Sequence, residues 1–305
     1  MAEKVISAAA VERREYWVAE IAKLSGNFGD DSARLQKELE EEFARDGHTA
    51  LRDHLRLCGA IPEWYGHDST EEKLYSKYTD ILLALAFASY GITSLVLEER
   101  GDSADVACES PECSFVADAK AFRLSRTAKN QKDFKVQAMD GWKQGRAHAA
   151  LVSPTYQLPA RASQIYQQAA ARNVCLLTYS HLAYLSAVAE QGDPGIARTA
   201  LYELFRTVEA LNPSKDAVSY WQAVNRAMLR TTAGFESLWA LEKVAAAEAI
   251  EIGKFESLTY LSKMRAKMML LSREEAVKEL LRLYRVESRV DTIASIANSK
   301  ILDIE

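Results

Sequence analysis

The chain has 305 residues, enough for two domains or for one large domain with a helical extension. It is 48% apolar and 27% charged, as a globular protein with a sizeable core should be, and 38 basic against 43 acidic side chains give a formal charge of −5. That balance excludes a protein basic over its whole surface, but leaves room for one basic face on an acidic body.

No stretch can span a bilayer as a helix: the longest strongly apolar run, Ile81 to Ala88, has eight residues where roughly 20 are needed. The first residues pass quickly into Glu12, Arg13, Arg14 and Glu15 with no apolar leader, so a cytoplasmic protein is expected. The four cysteines are too few for a disulfide framework, and Cys108 and Cys113 lack the companions of a zinc site. The 13 glycines never form G-x-x-x-x-G-K, so no nucleotide cofactor is expected. The five histidines are scattered and suggest no catalytic or metal role.

In chain order, residues 1 to about 57 read as amphipathic helices, with Val11, Trp17 and Ile21 and then Leu35, Leu39 and Phe43 at helical spacing. Ser69 and Glu72 form a capping box that opens a helix through Leu74, Tyr78, Ile81 and Leu85, ended by Gly91. Three strands are expected next, at Ser94 to Glu98, Ala104 to Cys108 and Ser114 to Phe122. A basic helical stretch over about Thr127 to Trp142 follows, then a strand at His148 to Val152 and a helix from Ala162 to Arg172. A strand at Val174 to Tyr179 and a helix at His181 to Glu190 complete the middle of the chain. From about Ile196 nearly everything reads as helix. An α-β-β-β-α-β-α-β-α order is that of a mixed sheet flanked by helices.

The chemistry gathers at the third strand. Asp118 and Lys120 are two apart, so on a strand they project from one face, where burial makes both charges costly unless paired or used. With Asp105 on the neighbouring strand, two carboxylates and the carbonyl of Ala119 can converge on a hard ion such as Mg²⁺, while Lys120 orients a water. Such a site suits phosphodiester cleavage. A structural ion pair accounts for the same residues, and the D-x12-D-x-K spacing by itself is loose. From Asp118 to Arg146 the chain has eight basic residues (Lys120, Arg123, Arg126, Lys129, Lys132, Lys135, Lys143, Arg146) and three acidic ones, a local +5 on a remainder of −10. Lys129, Lys132 and Lys135 with Asn130 and Gln131 are the side-chain types that meet bases and phosphates, although a solvated basic helix would carry them too.

The run from Val116 to Val136, VADAKAFRLSRTAKNQKDFKV, resembles the HindIII-type type II restriction endonucleases of the PD-(D/E)xK superfamily. Supporting segments are Glu72-Lys73-Leu74, Asp80-Ile81, Leu97-Glu98 with Arg100-Gly101, Ser163-Gln164-Ile165 and Arg273-Glu274-Glu275-Ala276. The resemblance is dense over about 70 to 182 and sparse in the helical C-terminal third. It implies a restriction-endonuclease-like mixed sheet with added N- and C-terminal helical regions. It also implies a Mg²⁺-dependent homodimer on double-stranded DNA that cuts AAGCTT after the first A. By position it gives Asp105 and Asp118 the metal-ligand roles and Lys120 the water-orienting role. Glu98 matches an acidic residue near the family's site, with a salt bridge to Arg100 or Lys120 as the other reading. The resemblance places base reading at Ala128 (a thymine methyl), Asn130 (adenine) and Lys132 (guanine), among Arg123, Arg126, Lys129 and Lys135. The expected organisation is a helical region over 1–69, a nuclease core over 70–192 with its DNA-reading segment at 123–143, and a helical region over 193–305 packed as one unit with the core. A structure-selective or repair nuclease, or a non-catalytic DNA-binding protein, are the alternatives.

Overall fold

The computed structural model describes residues 4–97, 103–126, 134–211 and 216–296. Three helices come first: α1 (Ala8–Ile21), α2 (Phe28–Leu57) and α3 (Thr70–Ser89). Each begins at a side-chain cap, Ser7, Asn27 and Ser69 in turn, that accepts a hydrogen bond from an otherwise orphaned backbone N–H. Within α2 the backbone at Gly47 turns to φ 63°, a break that a residue with a Cβ would resist.

The sheet follows: β1 (Thr93–Val96), β2 (Val106–Glu109), β3 (Ser114–Ala119), β4 (His148–Ser153) and β5 (Val174–Thr178), in spatial order β1-β2-β3-β4-β5. The pairs β1–β2 and β2–β3 are antiparallel, and β3–β4 and β4–β5 are parallel. The connections explain the change. Tight turns join antiparallel neighbours, whereas parallel neighbours need a helical crossover. Here the crossovers carry α4 (Val136–Trp142) and α5 (Gln164–Ala171). Every residue of β5 is buried, as is all of β4 beyond His148, which matches their continuous apolar runs. Phe115 of β3 packs edge-on between Phe87 of α3 and Phe205 of a later helix, ring centroids 5.1 and 4.9 Å away.

The remaining helices are α6 (Tyr179–Gln191), α7 (Pro194–Ala210), α8 (Ala217–Thr231), α9 (Glu236–Met269), α10 (Arg273–Leu283) and α11 (Val286–Ala294). Mixed sheet and flanking helices are therefore as the sequence leads one to expect. The chain divides into two compact units, the first ending at Ser257 and the second beginning at Leu258.

Most element boundaries lie within one or two residues of the expectation, and the end of the third strand differs by three. The third strand stops at Ala119, not Phe122, because Phe122 leaves β4 and makes an isolated parallel bridge to Ala60. Ile61 N donates to Phe122 O, and Phe122 N donates to Gly59 O. The Gly59–Ile61 strip is itself fixed from behind: Arg14 donates to Leu57 O and Ala60 O at 2.8 Å each, and the Tyr75 hydroxyl faces Cys58 O and Ala60 O. Gly59 must be glycine here, since a Cβ would meet the Pro154 side chain at 2.7 Å.

Candidate active site

The antiparallel register of β2 and β3 pairs Val106 with Ala117, so one step further sets Asp105 opposite Asp118. Leu97 N donates to Asp105 O at 2.8 Å, which holds Asp105 in line with the ladder although β2 proper starts at Val106. Cross-strand partners of this kind have Cβ atoms about 5 Å apart, so the two carboxylates share one space.

Asp118 is completely buried. Its Oδ1 receives a hydrogen bond from Lys120 Nζ at 2.5 Å, while its Oδ2 has no partner among the described residues. The i, i+2 geometry of a strand places the two side by side. Lys120 N also donates to Val152 O at 2.7 Å, and Tyr179 Oη donates to Lys120 O at 3.0 Å, so the lysine backbone is gripped from both β4 and α6.

A third carboxyl enters from α3. Asp80 is 3% exposed, its Oδ1 lacks a partner among the described residues, and its charge acts on both Asp105 and Asp118. Lys77, one helical turn earlier, stands 3.9 Å from its Oδ2 and caps Leu97 O. The sequence reading passed over Asp80 as a catalytic candidate, because an aspartate within an acidic amphipathic helix carries no local mark of function. Ser153 was also missed. The β3–β4 register, extended by one residue, brings Ser153 beside Lys120, with a buried Oγ that makes no hydrogen bond among the described residues.

Three carboxyls around one ammonium leave an excess of negative charge in a dry place. Burial, reinforced by Asp118, pushes the Asp105 carboxyl up to about 7. Burial, with Asp105 and Asp118 close by, lifts Asp80 well above the usual carboxylate range. For Lys120, burial works against the charge, but Asp118, Asp105 and Asp80 outweigh it and hold the ammonium above its ordinary value. The orphaned oxygens and the surplus charge fit a hard divalent cation, for which Asp105, Asp118, the carbonyl of Ala119 and Asp80 supply only oxygen donors.

Past Lys120 the chain borders an open groove of about 730 Å³, lined by Glu72, Lys73 and Ser76 of α3 and by Ala121, Phe122, Arg123 and Arg126. Tyr156 steadies this rim, its hydroxyl facing Gly59 O at 2.6 Å and Phe122 O at 3.1 Å. Arg123 binds Gly66 O at 2.9 Å and Glu72 Oε1 at 3.3 Å. Arg126 lies over the Phe122 ring at 5.0 Å. Lys135 is exposed at the start of α4, with its ammonium 5.3 Å from the Trp142 ring centre. Glu98, Ala128, Lys129, Asn130 and Lys132 lie outside the described residues. His67, Asp68 and Glu72 at the groove's edge bring ligand-type atoms within 4.8 Å of one another. Their partners are local, however: Asp68 N donates to Glu72 Oε2, His67 pairs with Asp68, and Glu72 pairs with Arg123.

A mixed sheet of this order with flanking helices is compatible with the restriction-endonuclease-like fold of nucleases. The comparisons with known proteins agree. The model of the HindIII restriction endonuclease family matches residues 14–297. The chain is also 36% identical over 250 residues to the type II restriction enzyme HindIII of Haemophilus influenzae, covering 79% of this chain and 81% of that protein. The chain belongs to the HindIII restriction endonuclease family. It is accordingly a site-specific DNA-cleaving hydrolase whose substrate is double-stranded DNA, of a class that generally needs a divalent metal. Among the described residues no helix is long and apolar enough to cross a membrane.

Proposed function

We propose that the protein is a Mg²⁺-dependent type II restriction endonuclease that works in the cytoplasm as a homodimer. It cuts AAGCTT after the first A of each strand. The observation that carries this reading is the Asp105–Asp118–Lys120 constellation, two carboxylates opposed across β2 and β3 with an ammonium beside them, in a member of this family. In this proposal residues 70–192 are the nuclease core, and 1–69 and 193–305 are helical additions.

Asp105, Asp118 and the Ala119 carbonyl would hold the metal, with Asp80 as a neighbouring carboxyl. When bound, Mg²⁺ supplies Lewis-acid stabilisation of the charge that develops on the phosphate. The protein's own part falls first to Lys120. Held protonated by its three acidic neighbours, it has donors and no acceptor, so it cannot take a proton from water. It instead fixes the oxygen of the attacking water and stabilises negative charge at the phosphate. Asp118 aims that ammonium through its 2.5 Å contact, and Tyr179 and Val152 fix the backbone beneath it. Burial of Asp118 keeps bulk water from the pair.

Lys73, Arg123 and Arg126 make the groove a path for a phosphate backbone leading to Lys120. Ala128 would meet a thymine methyl, Asn130 an adenine edge and Lys132 the guanine acceptors, with Lys129 and Lys135 on phosphates and Glu98 beside the metal site. Digestion of a sequenced plasmid with Mg²⁺, read by end-mapping, tests activity, site and cut position at once. Breaks confined to AAGCTT support the reading. Equal cutting of a plasmid without the hexamer would mark a structure-selective or repair enzyme.

A further inference from the structure

At the end of β3 away from Asp118, a thiol, an imidazole and a carboxylate meet. The β3–β4 register pairs Phe115 with His148, and Cys113, two residues before Phe115, falls on the same face, which brings its sulfur beside the ring. Cys113 Sγ is 3.8 Å from His148 Nδ1 and 3.7 Å from Ser114 O. On the other edge of the ring, His148 Nε2 faces Glu209 Oε2 at 3.4 Å. Glu209 and Phe205 are one turn apart on α7, and the Phe205 ring stacks on the imidazole with centroids 5.3 Å apart. Asn173 donates to Glu209 Oε1 at 3.4 Å. The turn before β3 holds the cysteine backbone: Cys113 N donates to Ser110 Oγ at 3.2 Å, and Ser110 N to Cys113 O at 3.0 Å.

We propose that Cys113 is a reactive thiol, activated by His148 and Glu209, that takes a small disulfide as substrate and carries the product as a mixed disulfide. A carboxylate at Nε2 fixes the ring hydrogen there, which leaves the Nδ1 lone pair facing the sulfur. His148 takes the thiol proton as the Cys113 sulfur attacks one sulfur of the disulfide. The new S–S bond forms while the old one breaks, and the leaving thiolate takes the proton back from Nδ1. One thiol and one disulfide stand on each side of the reaction, so no further oxidant is needed. Burial raises the Cys113 thiol and Arg206 opposes it, so the resting group keeps its proton and depends on the imidazole as base. Other thiols do not compete: Cys58, Cys108 and Cys175 are buried, whereas Cys113 is part-exposed. Nor does the chain resolve the adduct internally. Cys108 pairs with Phe115 and so lies diagonal to Cys113, with Cβ atoms about 7 Å apart where a disulfide needs about 4 Å. About 16 Å of extended strand separates Cys113 from Asp118, so the thiol stands apart from the proposed cutting centre.

The test exposes the full chain to two disulfides, oxidised glutathione and dithiodipyridine, and locates the modified residue by peptide mass mapping. One equivalent should attach at Cys113, and Cys113→Ser should remove it. The wild type should react with oxidised glutathione about tenfold faster than His148→Gln, because that leaving thiolate is basic and needs a proton. Dithiodipyridine releases a weakly basic group that needs none, so the gap between the two proteins should nearly close. A histidine with only a structural role would move both rates alike, and that result overturns the assignment. Attachment at Cys58, Cys108 or Cys175 of the folded chain overturns it too, as do equal glutathione rates for the wild type and His148→Gln. Should His148→Gln not fold, Glu209→Gln, at an exposed carboxylate, should slow the glutathione reaction several-fold and leave the dithiodipyridine reaction unchanged. An unaltered glutathione rate in that variant would overturn the proposal. Both readouts follow the thiol and not DNA cleavage, so they stand or fall separately from the nuclease reading.

Discussion

Asp105 and Asp118 stand directly opposite each other on antiparallel neighbours, with Asp118 wholly buried and bonded to Lys120. Two like charges are thus built into one dry space, and the protein offsets only part of their repulsion with a single ammonium. This is an arrangement that folding alone would not favour. Its consequences can be measured.

Asp118→Asn and Lys120→Ala should each reduce AAGCTT cleavage by about 10³-fold or more. Asp118→Asn should still bind the hexamer in Ca²⁺, as read by fluorescence anisotropy. Full cleavage by either variant would remove that residue from the site.

Metal binding should release a proton near neutral pH. Asp105 lies at about 7 in the metal-free protein and must be ionised to ligate, so affinity for Ca²⁺ or Mg²⁺ should climb between pH 6 and 8. Calorimetry in two buffers of different ionisation enthalpy measures the released proton directly. Identical heats in both would contradict it.

Asp105→Asn should make the metal-free protein more stable while abolishing cleavage. The wild-type carboxyl binds its proton more tightly folded than unfolded, so stability falls as pH rises through the interval from about 4 to 7. The variant escapes that loss, and at pH 8 it should gain on the order of 2–4 kcal/mol, shrinking as the pH is lowered. Thermal melts of both proteins at pH 5 and pH 8 would show it, and a variant that melts lower at pH 8 would count against the repulsion.

His181 shows the opposite sign. Its Nδ1 accepts from Thr178 and its Nε2 donates to Asn225 Oδ1 at 2.9 Å, so the buried ring is neutral. Burial lowers it to about 4, whereas the unfolded chain takes up a proton near 6.5. Stability should therefore drop as pH falls from 6.5 to 4, by up to about 3 kcal/mol. Urea titrations of His181→Gln should show a flatter profile over that range. An unchanged slope would assign the effect to another group.

How much of this was legible in the sequence depends on the range of the interaction involved. Asp118 and Lys120 announced their shared face because a strand has period two, and the succession of strands followed from short apolar runs. Asp80 did not, because its partners lie on strands more than twenty residues away and helix α3 has other acids. Phe122 looked like the end of a strand from its apolarity alone, and only the bridge to Ala60 shows that the ladder had already ended. The charge count marked Arg123 as a basic-face residue, but not that Gly66 O and Glu72 hold it at the rim of the groove. The helices α10 and α11 were readable as helical, but not that neither of them buries a residue.

The place of Asp118 on β3 has one more consequence, in time. That strand is paired along both edges, antiparallel to β2 and parallel to β4, and from Phe115 to Ala119 it is buried. Such a strand exchanges its amide hydrogens only when the whole domain opens. The slowest-exchanging amides should accordingly include those around Asp118, and the proposed cutting centre should persist for as long as the domain stays folded.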